Sequence, residues 1–224
     1  MFGLENVVRP RRGFGFRGAG VINRVEAYWN RARGGRLVPL RSEIAPAGLD
    51  TLLEHVFILE RIADRLARFR VAGRAMTDLV GMEVRNMPLS AVFEPTARAG
   101  IAEAVGAMFA EPATARLDLA FETGFGRPAL RGEMLLLPLR SDFGDITRAL
   151  GAISLSGPVG RAPRRPGIAG CEMRSLTGYA DFGPVAPRAR PGTPTAETTP
   201  QGLAGRTGGA RSPYLKLVVV NDRG

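Results

Sequence analysis

The stretch from Arg68 to Gly81 constrains the fold more than any other part of this chain. Charged and bulky residues alternate from Arg68 to Val71, and this pattern places successive side chains on opposite faces of a β-strand. Gly73 then permits a turn, Arg74–Val80 reads as a short helix, and Gly81 suits the left-handed residue that ends such a helix. A strand joined so tightly to a short helix predicts a small mixed α+β domain around it.

Regular patterns on both sides of this stretch complete the predicted domain. An N-terminal amphipathic helix is predicted by apolar residues at helical spacing, namely Val21, Val25, Tyr28, Trp29 and Ala32. A longer helix is predicted at 94–111. Strands are predicted by apolar runs or alternation at 56–62, 66–73, 115–122, 130–139 and 150–156. Together these elements predict an α+β domain in which 115–122 and 130–139 form a hairpin and 150–156 lies beside them.

Composition divides the chain into three parts. Residues 1–20 are expected to be a flexible basic arm, and residues 21–156 to be the domain with its lead-in helix. Glycine and proline supply 21 of the 68 residues from 157 to 224, which predicts a mostly disordered tail. Within that tail, segment 214–221 is apolar and is either an edge strand of the domain or a peptide that adds to a partner's sheet.

The formal charge of +10 lies mostly outside the predicted domain. Residues 21–156 hold seventeen arginines and sixteen acidic residues, whereas residues 1–20 carry a net charge of +3 and residues 157–224 one of +6. A nucleic-acid-binding domain usually carries its basic stripe on the folded surface, so we do not expect the domain to bind nucleic acid. The alternative left open is a nucleic-acid-associated regulator that uses its arginine-rich flanking arms.

Side chains for metal or catalytic chemistry are scarce in this sequence. Cys171 and His55 are the single cysteine and the single histidine, so neither a Cys/His zinc site nor a Cys–His nucleophile pair is expected. No apolar run approaches the ~20 residues that span a bilayer, and no apolar signal region follows the N-terminus. We therefore expect a cytoplasmic protein that is not an enzyme and holds no metal.

Several runs of residues resemble a family of bacterial PAS-like domains. They are Tyr28-Trp29, Arg33-Gly34-Gly35-Arg36, Pro39 to Pro46, Phe69-Arg70 with Gly73, Gly81, Leu135 to Arg140, and Leu150-Gly151. This family occurs mostly in alphaproteobacteria and was long described as a domain of unknown function. The resemblance covers residues 21–156 and implies a five-stranded antiparallel sheet with helices on one face, preceded by the N-terminal amphipathic helix. Asn86 departs from the pattern, because the family tends to have glycine after the short helices.

The resemblance implies a stand-alone sensory or signal-transduction module that acts through protein–protein interaction, as a homodimer or with another protein. Haem-binding PAS relatives carry an axial histidine on the long helix, and photoactive flavin-binding relatives carry a reactive cysteine at its start. His55 and Cys171 occupy neither place, since His55 precedes the first strand and Cys171 follows the predicted domain. No cofactor is therefore expected.

Two sets of residues are candidates for a functional site. A cleft between the sheet and the long helix would be apolar, and it would either hold a small hydrophobic ligand or be a filled core; its lining would be Phe57, Phe69, Val71, Met108, Leu119, Phe121 and Met134. The N-terminal helix either covers the sheet or offers a surface to a partner or a second copy, through Val25, Tyr28 and Trp29.

Overall fold

A computed structural model of the chain describes residues 19–177. Nearly all of the predicted basic arm, and the predicted strand at 214–221, lie outside these described residues. No helix among the described residues is long and apolar enough to cross a membrane. Within this range the chain forms one antiparallel sheet with helices on both of its faces.

The described residues form six strands and three α-helices. The strands are β1 (Val56–Ala63), β2 (Leu66–Ala72), β3 (Ala113–Ala120), β4 (Arg131–Arg140), β5 (Ile146–Ser156) and β6 (Gly167–Ser175). The helices are α1 (Ala19–Arg33), α2 (Arg74–Val80) and α3 (Arg98–Ala110). The sheet order is β2-β1-β5-β4-β3-β6, and each neighbouring pair is antiparallel. The predicted α+β class and the five predicted strands are confirmed.

The stretch around β2 and α2 folds as its glycines predict. α2 ends at Gly81, which has a φ of 79° and donates its N–H to Thr77 O at 2.7 Å. Asn86, at the position where related sequences favour glycine, has a φ of 67°. Asparagine tolerates this left-handed region better than most residues, so the departure at Asn86 leaves the turn intact.

Two apolar cores lie on opposite faces of the sheet. We call the face toward α2 and α3 the inner face and the face toward α1 the outer face. β4 shows the division, because Met134 and Leu136 belong to the inner core while Leu135, Leu137 and Leu139 belong to the outer core. Adjacent residues of one strand point to opposite faces, so an uninterrupted apolar run marks a strand that is buried on both sides.

The sheet has a sixth strand, which corrects the predicted end of the domain at residue 156. β6 pairs with β3 along its whole length, from Ala113↔Ser175 to Ala120↔Gly167. Leu176, just after it, is buried against the outer core. The high glycine and proline content after residue 156 predicted a mostly disordered tail, but the folded domain continues through Thr177, the last described residue.

Candidate functional site

The side chains predicted to line a cleft form the inner core instead of surrounding a space. Phe57, Phe69, Met108, Leu119 and Met134 are each at most 3% exposed and belong to one continuous cluster, with Phe121 half-buried against it. The rings of Phe57 and Phe69 meet edge to face, with centroids 5.3 Å apart. Aromatic pairs favour this geometry, so the residues that would hold a ligand are already in contact with one another.

Val71 does not belong to this core, contrary to the prediction. Its side chain is 55% exposed. The register between β1 and β2 shifts between Leu59↔Phe69 and Ile58↔Val71, which leaves Arg70 as an extra residue. Such a β-bulge reverses the alternation beyond it. Val71 therefore faces outward, and Ala72 packs against the inner core in its place.

Two depressions in the described region enclose almost no space. The depression between β2 and α3, lined by Ala67, Leu89, Ile101 and Val105 among others, has a cavity volume of about 0 Å³. A hollow beside α1, β3 and β6 has a volume of about 10 Å³, and roughly 10–15 Å³ is the least that a single water molecule needs. Neither space admits an organic ligand without movement of the surrounding side chains.

Helix α1 covers the outer face of the sheet. Val25 and Trp29 are 0% and 1% exposed, and the indole Nε1 of Trp29 donates a hydrogen bond to Pro138 O in β4 at 3.0 Å. Tyr28 is half-buried, and its hydroxyl accepts the N–H of Ala45 at 2.9 Å. Of the two alternatives for Val25, Tyr28 and Trp29, the structure shows the one in which the helix covers the sheet, since these side chains contact the sheet or the segment after α1.

The part of the outer face beside β2 carries a cluster of charges centred on Glu60. Arg68 donates to Glu60 Oε2 from both Nε (3.0 Å) and Nη2 (2.8 Å), Arg70 Nε lies 3.5 Å from the same oxygen, and Arg148 pairs with Oε1. Burial alone would raise the pKa of Glu60, but the hydrogen bond from Arg68 and the three positive charges outweigh it and lower that pKa. Three arginines around one carboxylate leave this surface net positive.

A second charged group joins α1 to the sheet. Arg116 in β3 contacts Glu26 of α1 at 2.8 Å and Glu133 of β4 at 3.2 Å. Burial is the main cause of the raised pKa of Glu133; the charge of Arg116 opposes the rise, while Asp118 and Glu26 add to it. The two glutamates therefore compete for one arginine where α1 meets β3 and β4.

The single cysteine and the single histidine of the sequence both lie where a role in packing explains them better than a role in catalysis. Cys171 is half-buried in β6, inside the domain and not beyond it as predicted, and burial raises the pKa of its thiol. A raised pKa keeps the thiol protonated, which disfavours nucleophilic chemistry. His55 precedes β1, with Nε2 3.2 Å from Glu54 Oε1. Among residues 19–177 no three histidine, cysteine or acidic side chains cluster in a way that could hold a metal ion.

Sequence reasoning missed Arg164, which is buried to 2% exposure. Its guanidinium donates to three backbone oxygens: Val159 O at 2.6 Å, Glu122 O at 2.8 Å and Pro128 O at 3.1 Å. These bonds tie the segment before β6 to the β3–β4 connection. No sequence signal separates Arg164 from Arg161 and Arg165 beside it, which are exposed.

The arrangement of the sheet and helices defines the class of the protein. An antiparallel sheet of order β2-β1-β5-β4-β3, with the short helices and α3 between β2 and β3 on the inner face, is the architecture expected of a PAS-like sensory domain. The model of the family described as PAS domain matches residues 20–154, so the chain belongs to this family. It is therefore a sensory or signalling module. No curated protein matches the chain.

Proposed function

We propose that this chain is a cytoplasmic PAS module that signals through direct contact with a protein, without catalysing a reaction and without a ligand in its core. The observation that carries the proposal is the direct contact between Phe57 and Phe69, at the centre of the inner core. A ligand bound there would first have to displace fully buried side chains. The alternative, a small apolar ligand in the cleft, stays a prediction.

The surface supports contact with a protein in two places. The outer face beside β2 presents Val71, 55% exposed, next to the arginines that surround Glu60. At the far side of the sheet, β6 presents Met173, 37% exposed. Protein interfaces usually combine an apolar centre with a polar rim. Both of these surfaces have that composition, because each places an apolar side chain beside charged groups.

Two measurements test the proposal. Native mass spectrometry of the protein purified from its own host should give the mass of the polypeptide with no retained small molecule. A photoreactive amino acid at Val71 or Met173 should give covalent adducts with protein in living cells, identified by mass spectrometry of the cross-linked peptides.

A photoreactive residue at Phe143 serves as the matched control, because Phe143 is 96% exposed but lies in the β4–β5 turn, away from both surfaces. Adducts that form equally at all three positions would reflect random collision and contradict the proposal. A stoichiometric small molecule retained in the native complex would overturn the absence of a ligand.

One observation favours the second candidate function, a nucleic-acid-associated regulator. Phe125 is fully exposed in the β3–β4 connection, which also contains Arg127. Arg131 begins β4 directly after this connection, and Arg161 donates its N–H to Gly126 O within it. An exposed ring among arginines suits base stacking beside phosphate contacts. Fluorescence anisotropy with a single-stranded oligonucleotide tests it: the Phe125→Ala variant should bind more weakly, and binding should fall steeply with salt.

A further inference from the structure

The two edges of the sheet differ in what covers them. β2, at one edge, is covered by the segment after α2: Asn86 N–H donates to Phe69 O at 2.8 Å, and Phe69 N–H donates to Met87 O at 3.0 Å. β6, at the other edge, pairs with β3 on one side only, and no other strand among residues 19–177 adjoins it. An open edge offers unpaired backbone groups to a further strand.

The hydrogen-bond phase of β6 identifies which backbone groups point to the open side. Leu176 N–H donates to Pro112 O at 2.8 Å, which makes this pair a hydrogen-bonded one. Such pairs alternate along an antiparallel ladder, so Arg174 and Glu172 also direct their backbone groups toward β3. The N–H and C=O groups of the residues between and beside them point away from β3, namely those of Cys171, Met173 and Ser175.

The side chains of β6 are segregated by face. Glu172 and Arg174 lie on the outer face and form an exposed ion pair, with Arg174 Nε 3.0 Å from Glu172 Oε1. Cys171 packs against the inner core, and Met173 shares its face. A negative and a positive charge lie two residues apart on one face of β6. When a second copy of the strand runs antiparallel to the first, each negative charge can therefore face a positive one.

We propose that a second copy of this chain pairs with the open edge of β6, antiparallel, about a twofold axis at Met173. Met173 then lies opposite Met173 of the other copy, and Cys171 lies opposite Ser175. These are the residues with outward backbone groups, so the pairing forms about six hydrogen bonds between the copies. The two sheets join into one continuous sheet.

Charge selects this register over its neighbours. With the axis at Met173, each Glu172 faces the Arg174 of the other copy in a non-hydrogen-bonded pair, where side chains approach closely. Moving the axis by one residue places Glu172 opposite Glu172, or Arg174 opposite Arg174, and like charges directly opposite each other are destabilising. Only the register centred on Met173 pairs opposite charges twice and still satisfies the outward backbone groups.

This inference rests on the proposed function, because it names a partner and a surface for the same interaction module. It is tested on the full chain by sedimentation velocity over a concentration series. The wild-type protein is expected to form a species of twice the 23.9 kDa of one chain. Glu172→Arg and Arg174→Glu, made singly, should each raise the dissociation constant by about tenfold or more, and the double variant should restore it.

A backbone variant gives a second, independent readout. Met173→Pro removes an N–H that points to the open edge and leaves the bonds to β3 in place, and proline is tolerated at such positions of edge strands. It should abolish the dimer while the circular dichroism spectrum stays that of the wild type. Glu103→Arg is the matched control, since Glu103 lies on the surface of α3, 3.9 Å from Arg65, and its reversal should leave the dimer unchanged.

Three outcomes overturn the inference. The first is a full chain that stays monomeric at every concentration. If removal of residues 210–224 then produces a dimer, the chain's own apolar segment at 214–221 occupies the edge in place of a second copy. The second is a dimer that neither charge reversal weakens, and the third is a double variant that remains as weak as the single ones. Cross-linking of Val71 to another protein in cells would leave the proposed function standing in each case.

Discussion

At the scale of single residues, Arg164 makes the sharpest prediction. Its guanidinium is the donor to three backbone oxygens in a buried site. Arg164→Ala leaves these carbonyl oxygens without this donor, and removing one partner of a buried hydrogen bond typically costs about 1–3 kcal/mol. We expect the free energy of unfolding, measured by urea denaturation, to fall by about that amount.

The neighbouring Arg165 provides the control for this substitution, because it is exposed. Arg165→Ala removes the same charge from the same segment and should change stability by less than about 0.5 kcal/mol. Equal effects of the two substitutions would show that net charge, and not the buried hydrogen bonds, determines the result.

A second prediction at this scale concerns the close packing around Gly151. It lies in β5 directly beneath the ring of Phe57, and a Cβ at this position would overlap that ring. Overfilling a closely packed core typically costs about 1–3 kcal/mol, so Gly151→Ala should lower the free energy of unfolding by that amount. Gly124→Ala is the matched control, since nothing lies within 4 Å of its added methyl group; similar losses from both would contradict the assigned contact.

Residue positions were predictable from the sequence where alternation holds and not where it breaks. Phe57, Phe69 and Met134 lie in the core as their periodicity predicts. Val71 does not, because the bulge at Arg70 inserts one residue, and the sequence carries no sign of it. Trp29 is buried because the apolar stripe of α1 packs against the apolar outer face of the sheet. That face is formed by residues of several strands, so the sequence around Trp29 alone does not reveal it.

At the scale of elements, Glu60 of β1 and Glu133 of β4, both on the outer face, should make opposite contributions to pH-dependent stability. The pKa of Glu60 lies below its ordinary value of 4.5, so its stabilising contribution is present above that pH and is lost as the pH falls through the lowered pKa. The pKa of Glu133 is raised, so its contribution is fully present below 4.5 and is lost as the pH rises through the raised pKa.

Urea unfolding at several pH values from about pH 3 to about pH 7 measures both contributions. Relative to the wild type, Glu60→Gln should gain less stability as the pH rises, whereas Glu133→Gln should gain more. Each variant serves as the control for the other, because both remove one acidic group from the same face of the sheet. Changes of the same sign in both variants would contradict the assigned environments.

Among the elements, those with strong periodicity were predictable and β6 was not. The strand of residues 167–175 contains two glycines and no run of alternating apolar residues, and it follows a segment rich in proline. What keeps it in place is its full-length pairing with β3 and the anchoring of the preceding segment by Arg164. Both are long-range contacts, which local composition does not reveal.

At the scale of the whole molecule, the position of β6 predicts where the folded domain ends. A fragment of residues 19–156 lacks β6 and Arg164, and it leaves β3, which contains Leu117 and Leu119, as an uncovered edge. We expect this fragment to unfold at a lower urea concentration than residues 19–177, or to aggregate, because an open apolar edge pairs with other chains. Circular dichroism and light scattering on both fragments measure the difference.

Equal stability of the two fragments would contradict this boundary and would indicate that the domain ends at residue 156. The longer fragment is the appropriate reference because it keeps every described residue. The family match ends at residue 154, so β6 lies beyond the matched region, and truncation separates its effect on stability from that of the matched part.

The division of β4 between two cores gives the sheet a further property. Met134 and Leu136 belong to the core on the α3 side of the sheet, while Leu135 and Leu137 belong to the core on the α1 side, so one strand separates the two cores and is part of both. Close-packed interiors transmit displacement because they contain little empty volume to absorb it. A displacement of α1 by a fraction of an ångström is therefore expected to move atoms on the opposite side of the sheet, because the two cores share the thickness of a single strand.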